Sequence, residues 1–139
     1  MTPEEFTARY MPQFSEQQKA AVRETEGPVL LLAVPGSGKT TVLVTRLGYM
    51  ALCRGIDPAR ILAVTYTVAA TQEMRARFAA RFGGELAARL EFRTINGVAA
   101  RIIALYSRMY GRTPPELIRN ESETTPLLMR LWQDTNHEY

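Results

Sequence analysis

The stretch "LLLAVPGSGKTTVL", Leu30 to Leu43, constrains this chain more than any other part of it. An apolar run breaks into Pro-Gly-Ser-Gly, passes through Lys39 and Thr40, and turns apolar again. The run "PVLLLAV" (28–34) is short, continuous and ends at a Gly/Pro turn, which is the pattern of a strand buried on both faces of a parallel sheet. From Gly38 onward Val42, Leu43, Leu47, Met50 and Ala51 fall at helical spacing. They predict a helix of about four turns, stopping near Arg54-Gly55 with a basic last turn and a glycine cap.

Strand, glycine-rich turn and helix form the setting in which a phosphate-binding loop works. Gly38, Lys39 and Thr40 fit the pattern Gly-x4-Gly-Lys-Ser/Thr, with Ala33 in place of its first glycine. Backbone N–H groups of such a turn curl round phosphate oxygens, and only residues without bulk let the main chain approach so closely. The helix that follows points its positive end at the same anion. The candidates for nucleotide binding are therefore Ala33, Val34, Pro35, Gly36, Ser37, Gly38, Lys39, Thr40 and Thr41. Lys39 would bridge the β- and γ-phosphates, and the Thr40 hydroxyl would complete the shell of a Mg²⁺ ion, so these two are the candidate catalytic residues. The plain alternative is a glycine-rich turn followed by a surface lysine.

Downstream the pattern alternates again. "ARILAVTY" (59–66) reads as a second strand, followed by a helix with Ala70, Met74, Phe78 and Phe82 on one face and a Gly-Gly end. "LEFRTI" (90–95) is a weaker third strand, leading into a helix with the apolar stripe Val98, Ile102, Leu105, Tyr106 and Met109. After the break at "GRTPP", "TTPLLMRLWQD" (124–134) reads as a short amphipathic helix. The fold class is thus α/β, a parallel sheet flanked by helices, and 139 residues suffice for about one domain.

Composition removes several classes of function. No apolar run approaches the ~20 residues of a membrane span, and "TPEEFTARYM" is acidic where a secretory signal is basic, so the expected compartment is the cytoplasm with no membrane contact. One cysteine, Cys53, and one histidine, His137, give neither an internal disulfide nor a structural zinc set. Cys53 reads as a small core residue. The net charge is +3, unevenly spread. Between Thr67 and Thr113 eight arginines face Glu73, Glu85 and Glu91, a net of +5, whereas acidic residues predominate after Pro114. A basic middle suits a nucleic-acid backbone and equally suits solvated helix faces.

With these residues in view, the chain resembles the amino-terminal ATPase domain of UvrD/Rep/PcrA-type superfamily 1 DNA helicases. The family opens with a motif like Leu-Asn-x-x-Gln-x-x-Ala-Val, matched here by "FSEQQKAAV" (14–22), and its phosphate loop (33–40) tends to begin with alanine, as at Ala33. Gln18 falls on the family's glutamine, whose amide reads adenine through a paired donor and acceptor. "TYTVAATQEM" (65–74) corresponds to motif Ia, with Val68 and Ala69 in place of its Asn-Lys pair. "FRTINGVAARII" (92–103) corresponds to motif Ib, with Asn96 and Gly97 in place of His-Ser. Both segments hold single-stranded DNA in the family. The resemblance implies a RecA-like P-loop NTPase fold of which this chain carries a part, ATP and Mg²⁺ as cofactors, and DNA contacts at Thr65, Tyr66, Thr67, Thr94 and Asn96. A side chain such as Tyr66 can stack on a base, or it can be a strand-end aromatic of the core.

Hydrolysis in this class also needs a strand ending in Asp-Glu, which holds Mg²⁺ and orients the attacking water. No apolar run of this sequence ends that way. The expectation is therefore the ATP-binding front of a longer DNA helicase or translocase, which binds nucleotide but does not turn it over by itself. Two alternatives stay open: a stand-alone nucleotide-binding regulator or small kinase, and the motor subunit of a helicase-nuclease.

Overall fold

The architecture is that of a computed structural model, which describes residues 1–34, 36–113 and 120–136. Pro35, one of the candidate nucleotide-binding residues, lies outside the described residues. The chain divides into two compact units, Met1–Ala100 and Arg101–Tyr139.

The first unit begins with two short helices set by their caps. In α1 (Pro3–Tyr10) the Thr2 hydroxyl accepts from Glu5 N while the Glu5 carboxylate accepts from Thr2 N, and Pro3 supplies a φ already suited to a first turn. In α2 (Glu16–Arg23) Ser15 and Gln18 exchange the same pair of bonds. Next comes α3 (Lys39–Leu52), followed by β1 (Leu62–Thr65), α4 (Val68–Phe82), α5 (Gly84–Arg89) and β2 (Glu91–Thr94). β1 and β2 pair in parallel, with Leu62 opposite Glu91 and Thr65 opposite Thr94. A parallel pair needs a crossover, and α4 with α5 supplies it. Gly83, at φ 98°, ends α4 where an L side chain would be strained.

Helix α3 organises the core because it is apolar on two sides. Val44 and Leu47 join Ile61, Ala63, Met74, Phe78, Ala87, Leu90 and Phe92 in the larger cluster, which binds α3 and α4 to the two strands. Val42 and Tyr49 look the other way, onto Phe6, Met11 and Val22 of the amino-terminal helices. Phe82 packs against both clusters, and its ring leaves no room at Gly48, where a Cβ would meet it at 2.3 Å. Each fully buried side chain of this size contributes roughly 1.5–3 kcal/mol. Cys53, the residue that caps α3, packs against the second cluster, and burial pushes its thiol pKa up, away from the reactive thiolate.

Helix α6 (Ile95–Met109) follows β2 directly, and α7 (Glu121–Asn136) lies in the second unit. In α6, Ser107 is buried while Ile102, Leu105, Tyr106 and Met109 are exposed. Along α7, which contains Pro126, Leu127, Leu128, Met129, Leu131 and Trp132 are exposed as well.

Three expectations need correction. Residues 28–34 form no strand: Leu30 and Leu32 are each 83% exposed. Among the described residues the sheet has two strands, β1 and β2, and no ladder partner lies beside the 28–34 run. A strand assignment requires such a partner. The α6 stripe, whose apolar spacing predicts a core-facing side, is exposed at Ile102, Leu105, Tyr106 and Met109 for the same kind of reason. The third correction is small: α3 ends at Leu52, before Arg54, so its last turn carries no basic residue.

Candidate nucleotide and nucleic-acid sites

The candidate phosphate loop takes the backbone shape its glycines permit. Gly36 (φ 79°) and Gly38 (φ 76°) are both left-handed, and Gly38 is the N-cap of α3. Lys39 and Thr40 thus become the first two helical residues, at the end where N–H groups lack intrahelical acceptors and the helix dipole is positive. The Val34 carbonyl holds the turn closed. It accepts from Ser37 N at 3.3 Å, from Ser37 Oγ at 2.7 Å and from Lys39 Nζ at 2.8 Å. Lys39 Nζ also reaches the Ala33 carbonyl at 3.3 Å. These are neutral acceptors on an exposed cation, so an anionic phosphate oxygen competes with them favourably.

Gln18 meets this loop. Its Nε2 donates to the Ser37 carbonyl at 3.2 Å, and its Oε1 accepts from Ser15 N at 2.9 Å. The glutamine motif and the phosphate loop are therefore in direct contact although 19 residues separate these two partners. A cavity of about 360 Å³ lies between them, lined by Ser15, Gln18, Ala33, Val34, Ser37 and Lys39 among others. Arg46 strengthens the junction from α3, donating through Nη1 to the Ala21 carbonyl of α2 at 2.6 Å. Thr41 sits one residue beyond Thr40, and its carbonyl accepts from the buried Thr45 hydroxyl at 2.7 Å. Ser15 is the participant sequence reading passed over, and its signal was available: Ser-x-x-Gln at the start of a helix is a capping box.

The other candidates gather at the carboxyl ends of the two strands. The register sets Thr65 beside Thr94, and each strand runs straight into a helix. Thr67 caps α4 by accepting from Ala70 N at 3.1 Å, and Thr94 accepts from Gly97 N at 3.0 Å in the first turn of α6. Thr65 bonds to the hydroxyl of Thr71 and the carbonyl of Thr67. Two helix amino termini thus open on one edge, an arrangement suited to phosphate. Tyr66, in the link from β1 to α4, is 88% exposed, which removes its alternative reading as a core aromatic, and Asn96 is exposed as well. Among the described residues no group of three His, Cys, Asp or Glu side chains could hold a metal ion, and no helix is long and apolar enough to cross a membrane.

Such a loop, joined to a glutamine motif and followed by a parallel pair with polar ends, defines a class that comparison with known proteins makes specific. Residues 14–139 match the UvrD/REP helicase N-terminal domain, and the chain belongs to that family. Among its curated relatives, it is 35% identical over 122 residues to the ATP-dependent DNA helicase PcrA of Leuconostoc citreum, covering 88% of this chain and 16% of the relative. It is 31% identical over 133 residues to the ATP-dependent DNA helicase UvrD1 of Mycobacterium leprae, covering 95% and 17%. With the ATP-dependent DNA helicase srs2 of Schizosaccharomyces pombe the identity is 28% over 127 residues, covering 91% and 14%. The chain thus spans about a sixth of the length of the first two relatives.

Proposed function

We propose that this chain is the ATP-binding front of an ATP-dependent DNA helicase or translocase, built on a RecA-like P-loop NTPase plan. The observation that carries the reading is the loop itself, with Gly36 and Gly38 left-handed and Lys39 at the first turn of α3, its ammonium resting on loop carbonyls. In this reading residues 33–41 wrap the phosphates and Lys39 exchanges the carbonyls of Ala33 and Val34 for β- and γ-oxygens. Thr40 offers one hydroxyl to Mg²⁺. A Mg²⁺ ion held by this one protein hydroxyl would take its remaining ligands from water and phosphate oxygens. When bound it supplies charge neutralisation at the phosphates.

Single-stranded DNA crosses the carboxyl ends of β1 and β2, where Thr65, Thr67, Thr94 and Asn96 meet phosphate or sugar and Tyr66 stacks on a base. Ala69 stands where the family has a lysine, so the contact is weak and fades as salt rises. The longer protein couples ATP hydrolysis to movement on DNA. The 139-residue chain alone is proposed not to turn ATP over, because no apolar run of its sequence ends in a water-orienting Asp-Glu pair and turnover in this class also draws on a γ-phosphate arginine. A group of the latter type contributes about 10³–10⁵ in rate in related nucleotidases.

Gln18 is proposed to read adenine, at the cost of its bond to the Ser37 carbonyl. Titrating Mg-ATP and Mg-GTP into the chain tests this assignment. ATP binds more tightly, Gln18→Ala narrows the gap, and phosphate release stays at background with or without single-stranded DNA. Tighter GTP binding would favour the stand-alone regulator instead, and DNA-stimulated phosphate release would show that the chain holds a catalytic carboxylate after all.

A further inference from the structure

Strand β2 has an open side: among the described residues β1 is its one ladder partner. Glu91 N donates to the Ile61 carbonyl at 3.1 Å, so Glu91, and with it Arg93 two residues on, turns its backbone groups toward β1. Alternation along the strand then points the N–H and C=O of Phe92 to the opposite edge. Such an edge is a template for one more strand.

Arginines give that edge its charge. A cavity of about 340 Å³ borders β2, lined by Arg75, Arg89, Glu91, Phe92 and Arg93 among others. Arg75 stands on α4, its guanidinium carbon 5.6 Å from the centre of the Phe92 ring. Arg93 lies on the other face of β2 together with Glu91, with which it pairs. Arg89, at the end of α5, pairs with Asp57 at 3.2 Å. Three guanidiniums thus share two carboxylates, which leaves the group net positive. Both ion pairs are partly exposed and exchange partners at little cost.

We infer that the free edge of β2 takes an extended acidic segment of a protein partner as an added strand. The Phe92 N–H calls for an acceptor and its C=O for a donor. A peptide backbone offers both, whereas a phosphodiester backbone offers acceptors alone. Successive side chains of an added strand alternate between its faces, one toward Arg75 and the next toward Arg93, so carboxylates at neighbouring positions each meet a guanidinium. The same arginines turn away a basic strand and keep the edge from pairing indiscriminately. This edge shares no residue with the loop at 33–41, and the inference holds whether or not that loop binds nucleotide.

The probe is a capped, fluorescein-labelled octapeptide, Thr-Glu-Glu-Thr-Glu-Glu-Thr-Glu, titrated with the intact chain at low salt and read by fluorescence anisotropy. Wild type binds it at least about tenfold more tightly than the same peptide with lysine in place of every glutamate. Arg93→Gln weakens the acidic peptide about tenfold, the size of one lost charge-assisted hydrogen bond. N-methylation of alternate peptide nitrogens weakens binding to wild type by a similar factor, because it removes ladder donors. That arm needs no variant and decides the question even if Arg93→Gln unfolds. Absence of binding to wild type overturns the proposal, as does an unchanged affinity in Arg93→Gln with its thermal melt intact. Equal binding of the N-methylated peptide leaves a charged patch without an added strand and also overturns it. So does an octathymidylate that displaces the peptide and is itself weakened by Arg93→Gln, which shows a nucleic-acid backbone site instead.

Discussion

Residues 28–34 and residues 59–66 are both short apolar runs that lead into a helix, yet they end in different states. In the second, β1 forms a ladder with β2 and turns Ala63 into the larger core cluster next to Phe78 and Phe92. In the first, Val29, Leu30, Leu31, Leu32 and Val34 are all exposed, and no strand pairs with them among the described residues. Even β1 is covered on one face only, since Leu62 and Val64 on the other are 45% and 44% exposed. An apolar strand pattern states a requirement for neighbours on two edges and two faces. Whether it becomes a strand depends on which neighbours are present.

Disruption on the β1 side should be the most severe. Phe78 is 0% exposed and touches the rings of Phe82 and Phe92. Phe78→Ala is expected to cost about 3–5 kcal/mol, enough to abolish a cooperative urea transition in a domain of this size. A loss below about 1 kcal/mol would mean that the cluster around β1 is not the core. A smaller but definite effect is expected at Gly48, where the Phe82 ring stands 2.3 Å from the site of a Cβ. Gly48→Ala trades a better helix former for overpacking, and the clash prevails by about 1–3 kcal/mol, read as a lowered urea midpoint. The smallest effect belongs to the exposed run. Leu32→Asp should change stability by no more than about 0.5 kcal/mol in the 139-residue chain. A loss comparable to that of Phe78→Ala would show that 28–34 is a buried strand in solution and would erase the contrast.

Local signals were legible in the sequence wherever the partner is also local. Helices α3 and α4 and the strands β1 and β2 follow from spacing and from their glycine ends, and the loop glycines from the phosphate-binding pattern. Helix α1 was equally readable, since Thr2-Pro3-Glu4-Glu5 is a capping box with proline at its first helical position. What spacing could not deliver was the fate of faces. The α6 stripe and the 28–34 run satisfy periodicity, but their burial depends on neighbours that periodicity does not specify. The Gln18–Ser37 contact is a further case, because it joins residues from separate elements through a backbone carbonyl, which no side-chain motif encodes.

The loop at residues 33–41 is proposed to bind nucleotide through its phosphates, with Lys39 as the principal cation. Calorimetric titration of Mg-ATP into wild type and Lys39→Ala tests it most directly. Lys39 bonds here to two loop carbonyls and is exposed, so its removal leaves both hydrophobic clusters untouched and the urea midpoint nearly unchanged. Lys39→Ala is expected to lose about 1.5–3 kcal/mol of binding, roughly a 10- to 150-fold rise in Kd. Equal affinities in the two proteins, with both folded, would contradict it.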